Sequence, residues 1–332
     1  MKNVSEIINQ GNKNAELPAW LNMRHAWSAS DAKRDEGLIY PNNVIQIKNL
    51  DYKKEPDHQK WCEAVELLAS QRTMGEKTSE KYSRIFYYNE PDDASNLDSE
   101  RYASNSLFDI YYPAEPDAQT SYPVIVSVHG GGWFYGDKEL YSYYCCHLAS
   151  KGFAVVNFNY RLAPQNKYPA AIEDVAYLIR YIHENAGVLH LDMEKFYMLG
   201  DSAGAQLTAN YCIIAGNAAY RSKLDFFTYD RLPKAVCLNC GAYEMDKRED
   251  NISDWYMKKE DGSYAVSEEQ RKLFLSQLEY LTKDFPPAYL MYSVNDDLRF
   301  QTTCKIEQML YRLLIFPLHK IITIRIITDS FQ

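Results

Sequence analysis

Five residues constrain this chain more than any others. Gly200-Asp201-Ser202-Ala203-Gly204 stands between a short apolar run, Lys195–Leu199, and a helical pattern, Ala203–Ala215. A strand that turns into a helix over so few residues forces the corner residue into a strained backbone conformation, and glycines on both sides leave room for it. The corner serine is then held out above the sheet. The helix N-terminus beside it offers free N–H groups and a positive dipole end to developing negative charge. The pentapeptide therefore reads as a nucleophile elbow, with Ser202 as the nucleophile.

Apolar runs of the same kind recur at Leu107–Tyr112, Pro123–Val128, Phe153–Asn159, Ala235–Leu238 and Ala288–Val294. Helical patterns at Leu140–Ser150 and Ala170–Asn185 lie between them. Buried strands alternating with amphipathic helices predict an α/β fold: a mostly parallel central sheet with helices on both faces. Functional residues in such sheets gather at the carboxyl ends of the strands. The first hundred residues look peripheral, with Trp20, Trp27 and Trp61 scattered among charges, helical spacing over Trp61–Ser70, and a polar, loop-like Pro91–Glu100. The expected organisation is an N-terminal and cap region over 1–106 and a catalytic domain over 107–312 with a cap insertion at 245–283. An atypical tail over 313–332 completes it.

Two further motifs follow strands. His129-Gly130-Gly131-Gly132-Trp133 comes directly after Pro123–Val128. Consecutive glycines let backbone N–H groups point into a cavity, as an oxyanion hole requires. The candidate donors are the amides of Gly131, Gly132 and Ala203, with His129 assigned a structural role. Asn295-Asp296-Asp297-Leu298 ends the run Ala288–Val294, and either aspartate could orient a histidine there.

Together these motifs resemble the α/β-hydrolase fold, and more narrowly the hormone-sensitive-lipase-like carboxylesterases (α/β-hydrolase fold-3). The resemblance rests on HGGGW at 129–133 with Gly136-Asp137 and on Tyr160-Arg161-Leu162-Ala163-Pro164. It rests also on Pro169-Ala170-Ala171 with Glu173-Asp174, on GDSAG with Gln206-Leu207, and on Pro286-Pro287 ahead of Asp296-Asp297-Leu298-Arg299. It spans about residues 107–300. It implies a serine esterase acting on small carboxylic esters through an acyl-enzyme, with a cap over the site. Sugar or xylan acetyl esterases and arylformamidase-like amidases are its neighbours. The family pattern places the acid two residues before a leucine, which selects Asp296. Ser293 stands where a glycine is usual. Asp137, Arg161 and Asp174 match family positions and are expected to be structural.

The base is the weak point of the pattern. Of seven histidines, His319 alone follows the acid, in Phe316-Pro317-Leu318-His319-Lys320. If Lys320–Thr328 forms the last parallel strand, His319 lies at its wrong end, roughly 25–30 Å from the site at about 3.3 Å per residue. If Leu313–Phe316 is a short last strand instead, His319 sits in the loop beyond it. A third reading starts from composition: no acid occurs between Glu307 and Asp329, and the segment is rich in isoleucine, as a frameshift or truncation would produce. The alternative function is then a catalytically impaired hydrolase fold that only binds.

Composition narrows the rest. Forty-five acids against 36 bases give a net charge of −9, which excludes a nucleic-acid binder held by phosphate contacts, and 46% hydrophobic residues exclude a disordered chain. No stretch of about 18 uncharged apolar residues occurs, so no membrane span is expected. Seven cysteines without a secretory signal fit reduced thiols in the cytoplasm. Cys237 and Cys240 form an isolated CxxC on a strand and carry no metal. No cofactor is expected. The partner is a small-molecule ester, with homo-oligomerisation left open.

Overall fold

The computed structural model describes residues 17–54, 59–61, 85–87, 96–113, 121–243, 245, 251–293 and 323–327. Nine strands form one sheet: β1 Val44–Asp51, β2 Ile85–Tyr87, β3 Leu107–Pro113, β4 Tyr122–Val128, β5 Ala154–Phe158, β6 Leu191–Asp201, β7 Val236–Asn239, β8 Ala288–Ser293 and β9 Thr323–Ile327. Their spatial order is β2-β1-β3-β5-β4-β6-β7-β8-β9. From β5 to β9 every pairing is parallel, and only β3 runs antiparallel to its neighbours β1 and β5. The predicted α/β architecture is therefore present.

The main helices are α1 Ala19–Arg34, α2 Ser142–Ala149, α3 Ala170–Glu184, α4 Ala203–Gly216, α5 Asn251–Met257 and α6 Glu268–Leu275. All five residues of β5 are buried, which explains why it reads as an unbroken apolar run rather than an alternating one. Helix α2 closes one face of the sheet with Cys145, Cys146 and Ala149 against Val44, Tyr111 and Val155. Helices α3 and α4 lie in the larger core, with Val175, Ile179, Leu207 and Tyr211 packed among Val124, Val126 and Val156.

One segment differs from the sequence expectation. The N-terminal region is not merely peripheral, because β1 and β2 belong to the sheet. Strand β1 hides in the sequence because Lys48 and Asn49 interrupt its apolar pattern. Both are buried, and both residues meet Asp109 of β3. Asn49 turns to φ 63° at a register shift, and its N–H donates to Asp109 Oδ1 at 2.9 Å. Lys48 Nζ lies 2.5 Å from Glu139 Oε2 and 3.6 Å from Asp109 Oδ2. Lys138 Nζ completes the group, 3.2 Å from Asp109 Oδ1 and 2.7 Å from Glu139 Oε1. Two cations and two carboxylates thus neutralise one another in the interior, where a lone charge would be prohibitive.

In the isoleucine-rich tail the structure agrees with the first of the three readings. Residues Thr323–Ile327 pair in parallel with β8, from Tyr289↔Thr323 to Ser293↔Ile327. A β-rich composition here reflects an edge strand. Strand β9 is therefore the last parallel strand, and the chain enters it at the sheet edge away from the carboxyl ends. Asp296 and His319 lie outside the described residues.

Removing one member of the buried charge group tests its energetic role. Asp109→Asn leaves two ammonium groups short of counter-charge and is expected to cost about 3–5 kcal/mol, measured by urea unfolding. A pH test is independent of that. Burial pushes the Glu139 carboxyl up, but Lys138 and Lys48 together outweigh it and hold it down to about 2, against an ordinary 4.5. A depressed folded-state pKa stabilises above the unfolded value, and that stability is lost as pH falls. The stability difference between wild type and Glu139→Gln should be full above pH 4.5 and shrink as pH drops towards about 2.

Candidate active site

Ser202 occupies the corner between β6 and α4 with φ 52° and ψ −114°. This conformation costs a non-glycine residue about 1–3 kcal/mol and persists only where the surroundings enforce it. The enforcement is visible. The Ser202 N–H donates to Asn239 O at 2.8 Å, tying the corner to the end of β7. A Cβ on Gly200 would stand 2.4 Å from Gly204 O, and one on Gly204 would stand 2.0 Å from Val128 O. Only two bare backbones allow α4 to start so close to β4 and β6. Ala203 is the first residue of α4, so its amide belongs to the unsatisfied first turn.

The glycine loop arises next to this corner because β4 pairs with β6, Val128 opposite Gly200. Gly131 has φ +113° and Gly132 φ +59°. The loop folds back on itself, with Phe134 N–H and Tyr135 N–H both donating to Gly131 O. A Cβ at Gly131 would stand 1.9 Å from Tyr135 O. His129 is fully buried, stacks on Tyr160 with centroids 4.1 Å apart, and approaches Gly130 O through Nδ1 at 2.7 Å. Burial pushes its pKa down to about 4, so the ring is neutral and packs under the loop.

Three elements press on the loop from outside. Helix α5 presents Ile252, Trp255 and Tyr256, which share one face at helical spacing. Tyr256 stacks on Trp133 at 5.0 Å, Trp255 meets Phe134 edge-on at 5.0 Å, and Ile252 Cγ2 lies 2.9 Å from the place a Gly132 Cβ would take. Trp133 Nε1 donates to Gln206 Oε1 at 3.1 Å, and Gln206 Nε2 donates to Gln277 Oε1 at 3.3 Å. From α1, Trp27 packs on Phe134 and Tyr135.

Arg24 of α1 is fully buried, and among its described contacts it meets carbonyls rather than carboxylates. It donates to Phe134 O at 2.6 Å, Leu97 O at 3.0 Å, Ala163 O at 2.8 Å and Gln165 Oε1 at 2.8 Å, and lies over the Trp20 ring at 4.6 Å. Burial lowers its pKa to about 10, which leaves it charged at neutral pH. Sequence reasoning did not single out Arg24. Its only signal was an arginine inside the aromatic-rich stretch Ala19–Trp27, which reads as a surface helix. Tyr141 escaped notice for the same reason, yet its hydroxyl lies between Asp201 and Gly130.

The other motif residues serve the scaffold. Asp137 caps the 3₁₀ turn Lys138–Tyr141 by accepting from Glu139 N and Leu140 N. Arg161 binds Asp174 Oδ2 at 2.9 Å and Glu173 Oε2 at 3.0 Å. Cys237 lies on β7 and Cys240 just beyond it, and neither is in a disulfide. No group of three potential metal ligands occurs among the described residues.

The glycine contacts yield a paired test. Gly204→Ala should cost about 3 kcal/mol or more and abolish Ser202 reactivity, because the added methyl collides with backbone. Gly187→Ala, with nothing within 4 Å of the new Cβ, should leave the urea midpoint unchanged or slightly raised.

Solved structures with similar coordinates include esterase B from Lactobacillus rhamnosis, with a TM-score of 0.64 at 22% identity, covering 93% of this chain and 83% of that one. The hyperthermophilic esterase from the archaeon Pyrobaculum calidifontis gives a TM-score of 0.59 at 18% identity, covering 97% and 88%. At these identities the likeness is one of fold. In sequence the chain is 30% identical over 205 residues to the esterase LipI of Mycobacterium tuberculosis, which covers 57% of this chain and 60% of that protein. It is 31% identical over 137 residues to ethyl acetate hydrolase of Pseudomonas putida, covering 41% and 42%. The match thus spans less than two thirds of these relatives. The BD-FAE family model matches residues 108–306. That is more than half of the chain, including β3 to β8, the glycine loop and the elbow, and the chain belongs to the BD-FAE family of the α/β hydrolases.

Proposed function

We propose that this protein is a serine hydrolase of small carboxylic esters. The observation that carries the reading is the strained Ser202 corner, held at the carboxyl end of β6 beside a loop whose glycines admit no side chain. Ser202 Oγ forms a bond to the ester carbonyl carbon while its proton passes to a base. Amides of Gly131, Gly132 and Ala203 donate to the developing oxyanion. The bond to the leaving alkoxide breaks as the base returns the proton, and water hydrolyses the acyl-enzyme by the same two steps. Asp296, three residues beyond the end of β8 in sequence, is proposed to orient the base. Ile252 against Gly132 leaves little room above the loop and favours short acyl chains, as do the esterase names of the relatives. We also place the enzyme in the cytoplasm, which suits the five free thiols described. Among the described residues no helix is long and apolar enough to cross a membrane.

His319 is the proposed base, and it is the residue most in need of a test. A second reading has its own observation: β9 begins at Thr323, at the sheet edge away from Ser202, only four residues after His319. Should no group take the Ser202 proton, the chain binds esters without turning them over. The experiment is hydrolysis of p-nitrophenyl acetate by wild type, Ser202→Ala and His319→Ala. Ser202→Ala should lose activity by about 10⁴-fold or more. An equal loss in His319→Ala identifies the base, and retained activity there removes His319 from the mechanism. An inactive wild type would favour the binding reading.

A further inference from the structure

Tyr141 stands where the 3₁₀ turn Lys138–Tyr141 runs into α2. Neither the elbow nor the glycine loop contains it, yet its hydroxyl touches both. It donates to Asp201 Oδ2 at 2.7 Å, and the Gly130 N–H donates to it at 3.3 Å. Asp201 directly precedes the nucleophile, and Gly130 directly precedes the first oxyanion donor. Burial, then the adjacent Asp201 carboxylate, keep the side chain a neutral phenol. Its one proton therefore goes to Asp201, and its lone pair is free to receive Gly130. The fit is tight: a Cβ on Gly130 would meet Asp201 Oδ2 at 3.0 Å and the Tyr141 hydroxyl at 3.1 Å.

The next clasp, Trp133 to Gln206, connects the far end of the loop with the first turn of α4. The loop is thus held to the elbow at both ends, by Tyr141 at its entry and by Gln206 beyond its glycines. Between the two, backbone at φ +113° and +59° has no side chain to fix it. These two clasps add to the β4–β6 pairing in holding the loop amides near Ser202.

We infer that Tyr141 is a positioning residue for the esterase reaction, which sets the distance between Ser202 and the oxyanion donors through its bridge from Asp201 to Gly130. The inference rests on the esterase reading above. With its hydroxyl engaged by Asp201 and Gly130, Tyr141 should act on the transition state and leave substrate binding alone.

The test is a double-mutant cycle with Tyr141→Phe and Asp201→Asn, each close in shape to the native residue. Tyr141→Phe should lower kcat for p-nitrophenyl acetate by about 10–100-fold, the loss expected from a small misplacement of catalytic groups, with KM within about twofold. If the hydroxyl acts through Asp201, the double variant should be no worse than the poorer single one. A second readout needs no turnover. Amide hydrogen exchange over residues 129–136 should quicken by about tenfold in Tyr141→Phe while the strands β4 and β6 stay protected. Unchanged kcat with unchanged exchange overturns the proposal, as do losses that multiply in the double variant. A wild type without esterase activity would sink the esterase reading, and the exchange experiment would still decide whether Tyr141 holds the loop.

Discussion

Between Leu199 and Ala203 the chain passes from extended strand to helix, and the rest of the catalytic edge is arranged around the close approach this demands. The backbone strain at Ser202 is about 1–3 kcal/mol. It is offset by α4, whose residues from Ala203 to Ala215 are all buried. A helix buried on every side has no polar stripe to tell the chain which way to turn. Its orientation is set instead by bare glycines at its start, which allow it nearer to β4 and β6 than any side chain would.

The glycine loop depends on that geometry and on what surrounds it. Loop glycines permit the required dihedral angles but do not impose them. Imposition comes from side chains distant in sequence: Arg24 on the Phe134 carbonyl, Tyr256 on the Trp133 ring, Gln206 on the Trp133 indole, and Tyr141 on Gly130. All four lie outside 129–133 and 200–204. A loop proposed to bind developing charge without reorganising needs such external support.

Much of this was legible in the sequence. Strands β3 to β8 and helices α2 to α4 stand close to where their apolar runs placed them, because run length and flanking glycines and prolines separate buried strands from helices. Strand β1 was not legible. Periodicity treats lysine and asparagine as surface residues, and it has no knowledge of the carboxylate on β3 that receives them. Arg24 was invisible for a related reason: a buried cation satisfied by carbonyls leaves no complementary charge in the sequence to suggest it. The isoleucine-rich tail left three readings open, and the sheet takes Thr323–Ile327 as its edge strand.

The sequence by itself determined the fold class, the elbow and the glycine loop. Each of these is a local requirement on backbone freedom, and local requirements are written in consecutive residues. Tertiary structure decided which distant side chains hold the loop against Ser202, how four clustered charges, three of them buried, neutralise one another, and at which sheet edge β9 begins. Those outcomes depend on contacts between segments tens to hundreds of residues apart, and no run of neighbouring residues encodes the distance between them.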